Sequence, residues 1–311
     1  MSIENGTFLK NSNQKTVIII SGPTAVGKTS VAISLAKFFH TEIISADSRQ
    51  CFRELKVGVA RPPDKELKEV PHHFIASHSI EENLNAAYFE QYALKKVNDL
   101  FQKHDAVIMV GGTGLYLKAF CEGLDEIPEL KPDVRSQIIN AYKEKGLQWL
   151  QEEVKKKDPR FFSVGEIQNP QRLMRALEVI GSTGRSILDF RKNNKAQRDF
   201  TILRVGLELP KEELHHRINM RVDKMIEQGL VDEVKQLSAY RGLNALQTVG
   251  YAELFEYLDE KISLKHAVEE IKKNTRQYAK RQMTWFKKDK EIKWFSPGQV
   301  SEIEAYIEGT N

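Results

Sequence analysis

The stretch Gly22-Pro23-Thr24-Ala25-Val26-Gly27-Lys28-Thr29 decides how this chain is read. It fits G-x-x-x-x-G-K-[ST], a loop whose glycines let backbone N–H groups close around phosphate oxygens. The lysine is placed to neutralise phosphate charge, and the Thr29 hydroxyl to hold a magnesium ion. Before the loop runs Thr16-Val17-Ile18-Ile19-Ile20, a short β-branched run that reads as a buried strand. After it, Val31, Leu35 and Phe38 recur at helical spacing. The loop should therefore cap a helix N-terminus whose dipole favours an anion. A glycine-rich turn that binds nothing has no need of strand, loop and helix in this order.

Composition sets the outer limits. The chain has 311 residues, 41% hydrophobic and 29% charged, as in a soluble globular protein with one large core and room for a second domain. No apolar run approaches the roughly 18 residues a membrane span needs, so no membrane partner is expected. Residues Met1 to Gln14 are polar and lack the apolar core of a signal peptide, which reads as a flexible tail on a cytoplasmic protein. Cys51 and Cys121 stand far apart, excluding a zinc finger and giving no disulfide framework. Net charge is +4, yet residues 261–290 carry ten Lys and Arg against Glu269, Glu270 and Asp289. That asymmetry points to a polyanionic partner touched by one region.

Strand signals recur along the chain. Glu42-Ile43-Ile44-Ser45-Ala46 reads as a second strand, followed at once by Asp47-Ser48-Arg49-Gln50. Ligands of an open parallel sheet gather beyond the carboxyl ends of its strands, so Asp47 should stand near the phosphate loop. Pro71-His72-His73-Phe74 lacks a third ligand spaced to bind metal and reads as structural or substrate-adjacent. A helix from about Ala86 to Gln102 precedes a third strand, Asp105 to Val110, which ends in Gly111-Gly112-Thr113-Gly114-Leu115-Tyr116. ATPases often place a magnesium-binding Asp there; two glycines and Thr113 argue against ordinary nucleotide hydrolysis. Strand character returns at Ile202 to Leu207. The helix after Pro210 carries Arg217 and Arg221 four apart on one face.

Between Cys121 and Asn194 the signal is helical only: Pro132–Lys145, Leu147–Lys157, and a helix opened by Asn169 and Pro170 that carries Gln171, Arg172 and Arg175. The fold class expected is α/β, a P-loop NTPase-like parallel sheet flanked by helices. Residues 15–120 and 195–311 supply its core domain, and 121–194 an all-helical insertion. In the long helix Leu264–Phe286, Leu264, Val268, Ile271, Thr275, Tyr278, Gln282 and Trp285 form an apolar seam beside a basic stripe of Lys265, Lys272, Arg276, Lys280 and Lys287. Such a stripe suits a phosphodiester backbone. A short strand at Ile292–Phe295 and a closing helix from Val300 end the chain.

From about Val17 to Phe286 the motifs, in order, resemble the bacterial tRNA dimethylallyltransferases (tRNA isopentenyltransferases). They are the loop at Gly22–Thr29; Ser45-x-Asp47-Ser48-x-Gln50; Gly111-Gly112-Thr113-Gly114-Leu115-Tyr116; Asn169-x-Gln171-Arg172-x-x-Arg175-Ala176-Leu177-Glu178-Val179; Gly250-Tyr251-x-Glu253; and Thr275-Arg276-Gln277-x-Ala279-Lys280-Arg281-Gln282-x-Thr284-Trp285. The first alone marks a broad class of phosphate binders; the ordered set is specific. Phe52 stands where the family commonly has tyrosine, and Val59 and Arg61 where Gly-Thr-Ala-Lys-Pro is usual.

The resemblance implies transfer of a dimethylallyl group from dimethylallyl diphosphate to N6 of the adenine just 3′ of the anticodon in tRNA. It implies Asp47 as general base, and Lys28, Arg221 and a Thr29-bound Mg²⁺ at the diphosphate. Ser48, Arg49, Gln50, Thr113, Gln171, Arg172 and Arg175, with Asp47 itself, would meet the anticodon stem-loop, and Arg276, Lys280 and Arg281 the tRNA backbone. A one-to-one complex with tRNA suggests a monomer. Two alternatives remain at this point: a P-loop kinase or prenyltransferase acting on free adenine nucleotide, and a nucleotide-gated RNA-binding protein whose RNA affinity depends on bound ATP.

Overall fold

A computed structural model describes residues 15–128, 130–191 and 195–310. The tail expected over Met1–Gln14 lies outside the described residues, as do residues 192–194. The chain forms two compact units, one built from the segments up to Cys121 and from Gln197 onward, the other from Glu122–Ala196.

The first unit is a six-stranded sheet with helices on both faces. In chain order it holds β1 (Thr16–Ser21), α1 (Lys28–Phe38), β2 (Ile43–Ser45), α2 (Asp64–Glu69), β3 (His72–His73), α3 (Ala86–Phe101), β4 (Ala106–Gly111) and α4 (Gly114–Glu122). The second unit supplies α5 (Pro132–Lys157), α6 (Pro159–Val164) and α7 (Pro170–Thr183). The first resumes with β5 (Thr201–Leu207), α8 (Lys211–Glu227), α9 (Leu230–Gln236), α10 (Tyr251–Leu258), α11 (Leu264–Phe286), β6 (Lys293–Phe295) and α12 (Val300–Thr310).

The strand order is β3-β2-β4-β1-β5-β6, and every pairing is parallel. β1 sits inside with all six residues buried, as its unbroken apolar run requires. Its pleat sends Val17 and Ile19 into one core layer and Ile18 and Ile20 into the other. α1 and α12 pack on the second layer, α3, α10 and much of α11 on the first. Because β4 and β5 flank β1 on opposite sides, the loop after β1 opens at the point where the chain order reverses, the usual crevice of such sheets.

The histidine pair forms the edge strand β3, and His73 Nε2 meets Glu42 Oε2 at 2.6 Å, a structural contact. α11 departs from the expected seam. Its buried residues are Ala267, Ile271, Ala279, Gln282 and Phe286, whereas Tyr278 and Trp285 are each 38% exposed. Steps of four and three average 3.5 residues per turn, and a straight helix turns at 3.6, so over 23 residues the stripe drifts off the buried face. The basic stripe is also partly engaged within the fold, two of its members by carboxylates. Lys272 pairs with Asp223 of α8 at 2.7 Å, Lys287 with Glu208 at 2.7 Å, and Arg276 donates to Asn219 Oδ1 at 2.6 Å.

In the second unit the helices close on Leu150, Val154, Phe161, Leu173 and Leu177. α5 is kinked at Gly146, whose φ of 74° breaks the helix between Lys145 and Leu147. Arg172 pairs with Glu166 at 2.8 Å, Arg175 with Glu178 at 3.4 Å, and Gln171 is exposed. Asn169 accepts the N–H of Arg172, the cap that its place before Pro170 predicts.

Candidate active site

The phosphate loop leaves β1 and enters α1 through Gly27, whose φ of 107° is open to glycine and costly for other residues. Val26 is fully buried and anchors the loop in the core. Lys28, the first residue of α1, turns back so that Nζ donates to the Pro23 carbonyl at 2.7 Å. Burial and the neighbouring Arg221 charge pull this ammonium down to about 7, with Asp47 opposing. Arg221 reaches in from α8 and donates from Nη1 to Thr24 Oγ1 at 3.0 Å. Burial likewise holds its guanidinium below the usual range, and Asp47 offsets part of that cost. Two cations are thus held together in an enclosed site, an arrangement that an anion relieves.

Asp47 follows β2. Its Oδ1 accepts the backbone N–H groups of Arg49 at 2.9 Å and Gln50 at 3.2 Å, a turn closed by a side chain. Thr113, after β4, accepts the Ser48 N–H at 3.0 Å and donates to Ser48 Oγ at 3.3 Å. Gln50 points its amide nitrogen at its own chain, donating to the carbonyls of Val59 and Ala60, each at 3.1 Å.

The phosphate loop, Arg221, Asp47 and Gln50 border one cavity of about 790 Å³. Lys28, Arg217, Arg221 and Lys224 make part of its wall basic, and Thr24, Ala25, Gly27, Thr29, Asp47 and Gln50 also line it. Val57, Val59, Ile75 and Met225 add apolar surface. Tyr278 closes another side, its phenol pushed up to about 12 by burial and by Asp47. A basic part beside an apolar part suits a ligand with an anionic head and a small hydrocarbon tail.

Among the described residues no group of three His, Cys, Asp or Glu side chains could hold a metal. Thr29 and Asp47 nevertheless bring oxygen donors to the cavity wall. Mg²⁺ keeps several waters and is bound mostly through substrate phosphates, so this sparse set fits an ion that arrives with a diphosphate.

Three groups carry the site although the sequence assigned none of them a place in it. Gln282 of α11 binds the Thr24 N–H and the Gly112 carbonyl. Glu233 of α9 accepts the backbone N–H groups of Lys56, Val57 and Gly58, which enter the loop that walls the cavity. Arg61, a departure from the family pattern, donates Nη2 to the carbonyls of Phe52, Arg53 and Leu55 and so braces the same loop. Gln282 left a trace in sequence as a polar residue inside an apolar seam, and Arg61 as a departure from the family pattern; Glu233 left none.

A strand, a phosphate loop and a helix on a parallel sheet, with a basic cavity at the reversal point, define a P-loop α/β protein whose site suits a phosphorylated ligand. The IPP transferase family matches residues 50–289. The tRNA dimethylallyltransferase of Cytophaga hutchinsonii is 46% identical over 294 residues, 94% of this chain and 97% of that protein. The tRNA dimethylallyltransferase of Christiangramia forsetii is 47% identical over 293 residues, with 94% and 97% covered. The full-length tRNA isopentenylpyrophosphate transferase of Bacillus halodurans superposes with a TM-score of 0.70 at 34% identity, covering 96% of each chain. A eukaryotic dimethylallyltransferase acting on tRNA reaches 0.74 at 26% identity, covering 92% of this chain and 75% of that one. The chain belongs to the IPP transferase family of tRNA-modifying prenyltransferases.

Proposed function

We propose that this protein transfers a dimethylallyl group from dimethylallyl diphosphate to N6 of the adenine just 3′ of the anticodon in tRNA, releasing diphosphate. The observation that carries the reading is that Asp47 borders the same cavity as Lys28 and Arg221. As the allylic C–O bond breaks, its electron pair leaves with the diphosphate. The loop backbone from Gly22 to Thr29, with Lys28 and Arg221, stabilises that growing charge. Thr29 would hold Mg²⁺, which supplies further charge neutralisation at the leaving group.

The N6 lone pair forms the new N–C bond, and N6 gives up a proton to Asp47. Oδ2 takes it, because Oδ1 already accepts two backbone N–H groups. An adenine stacked in the anticodon loop cannot reach this carboxylate, so the base is flipped out. Ser48, Arg49, Gln50 and Thr113 surround the acceptor. Gln171, Arg172 and Arg175 are further RNA contacts from the second unit, and Arg276, Lys280 and Arg281 hold phosphates. The enzyme acts as a cytoplasmic monomer.

The test is transfer of radiolabel from dimethylallyl diphosphate, with Mg²⁺, to unmodified tRNA, with AMP and an adenine-replaced tRNA in parallel. Label on the intact tRNA alone is the expected result. Label on AMP would make it a free-nucleotide prenyltransferase, and no label would return the cavity to the kinases and the nucleotide-gated RNA binders.

A further inference from the structure

Gln282 lies within α11 with 7% of its surface exposed, and both ends of its amide are engaged. Oε1 accepts the Thr24 N–H at 2.8 Å, and Nε2 donates to the Gly112 carbonyl at 2.9 Å. The approach is close enough that a Cβ on residue 112 would lie 2.3 Å from Nε2, which explains glycine at that position. Thr24 is the residue whose hydroxyl Arg221 holds. Gly112 leads into Thr113, which bonds both the N–H and the hydroxyl of Ser48, next to Asp47. One buried amide therefore ties the leaving-group half of the cavity to the acceptor half.

We infer that Gln282 is a positioning residue that sets the separation between the phosphate loop and the Asp47–Ser48 turn during transfer. The inference rests on the function proposed above. Attack requires reacting atoms about 3–3.5 Å apart, and a misplacement of about 1 Å costs on the order of 10²-fold in rate. Both amide ends are committed to backbone, so loss of Gln282 loosens the alignment of the two halves and leaves the charged ligands of each substrate in place. Its signature is a fall in kcat with the binding of each substrate retained.

The experiment measures kcat, the KM for dimethylallyl diphosphate and the Kd for tRNA in Gln282→Met and Gln282→Glu, with Tm as the control for folding. Gln282→Met removes both hydrogen bonds at similar volume. Its kcat is expected to fall at least tenfold, with KM and Kd within about threefold of wild type. Gln282→Glu keeps an acceptor for Thr24 and regains a donor for Gly112 only when protonated, a form that burial favours. Its deficit against wild type should shrink as pH falls, whereas that of Gln282→Met should not change. Should Gln282→Met fail to fold, Gln282→Glu is judged on the same split. Wild-type kcat, or a loss shared equally with KM and Kd, overturns the inference and leaves the function standing. Absence of transfer by the wild-type enzyme overturns the function itself.

Discussion

The phenol of Tyr251 donates to Glu233 Oε1 at 2.6 Å, and the same carboxylate accepts three consecutive backbone N–H groups, from Lys56, Val57 and Gly58. Burial and the adjacent carboxylate push the phenol well above its usual range, so it stays a donor. Glu233 thus acts as a latch on the loop that walls the cavity, and Tyr251, fully buried, holds the latch.

Gly58 has no room for a side chain, since a Cβ there would lie 2.6 Å from the Tyr251 ring. The ring is fully buried and has nowhere to go. Gly58→Ala should therefore destabilise the protein by about 1–3 kcal/mol. It should also raise the KM for the diphosphate donor, because Val57, Val59 and Ala60 line its cavity. Thermal melting and donor titration check the two effects; an unchanged melting temperature would remove the latch from the account.

Lys28 is held at about 7 by burial and by the Arg221 charge, against 10.5 for a free lysine. Between those values the unfolded chain binds the proton that the folded chain has lost, so stability from this residue rises with pH through that window. Lys28→Met should be more stable than wild type below pH 7, with the difference closing as pH rises toward 10.5. In the same free enzyme, kcat/KM for dimethylallyl diphosphate should fall above about pH 7 as the ammonium loses its charge. Melting curves and initial rates across pH test both signs.

Asp47→Asn keeps an Oδ1 acceptor for the N–H groups of Arg49 and Gln50, so the turn survives. What disappears is the base. Turnover should fall at least tenfold, within the ~10²–10⁴-fold range typical of such a group, while tRNA affinity changes little. Single-turnover transfer and filter binding separate the two, and wild-type-like turnover would sink the assignment.

Lys280 and Arg281 are exposed on α11, whereas Lys272 is paired with Asp223 and Glu269. Alanine at position 280 or 281 should reduce the slope of log K for tRNA against log salt by about one each. Lys272→Ala should leave that slope unchanged. Salt titrations of tRNA binding decide it, and equal slopes for all three variants would count against the division.

Local motifs were legible from residues alone because their physics is local. The run Thr16–Ile20 is a strand whatever surrounds it, and Gly27 needs its left-handed backbone wherever the loop is placed. Gly250-Tyr251-x-Glu253 could be quoted as a motif but not explained. In the fold Glu253 accepts the Gly250 N–H at 2.8 Å and the Asn274 amide at 2.7 Å, while Tyr251 serves the latch. The basic stripe carries less free charge in the fold than in the sequence for the same reason: its compensating carboxylates, Asp223 and Glu208, come from segments distant in sequence.

By itself the sequence determined the phosphate loop, the strand before it and the helix after it, the placement of Asp47 at a strand end, and the family resemblance. Hydrogen bonding within a few residues, or apolar periodicity along one element, suffices for the structural ones; the resemblance rests on the ordered set of motifs. Tertiary structure decided what holds the site in register: Arg221 on Thr24, 197 residues away; Gln282 on Thr24, 258 away; Glu233 on Gly58, 175 away. Those pairings are set by the order in which parallel strands assemble and by which face of α8, α9 and α11 turns inward. No window of sequence contains that information, because each bond joins a side chain to a group, often a backbone N–H, that lies far away in sequence until the sheet brings the two together.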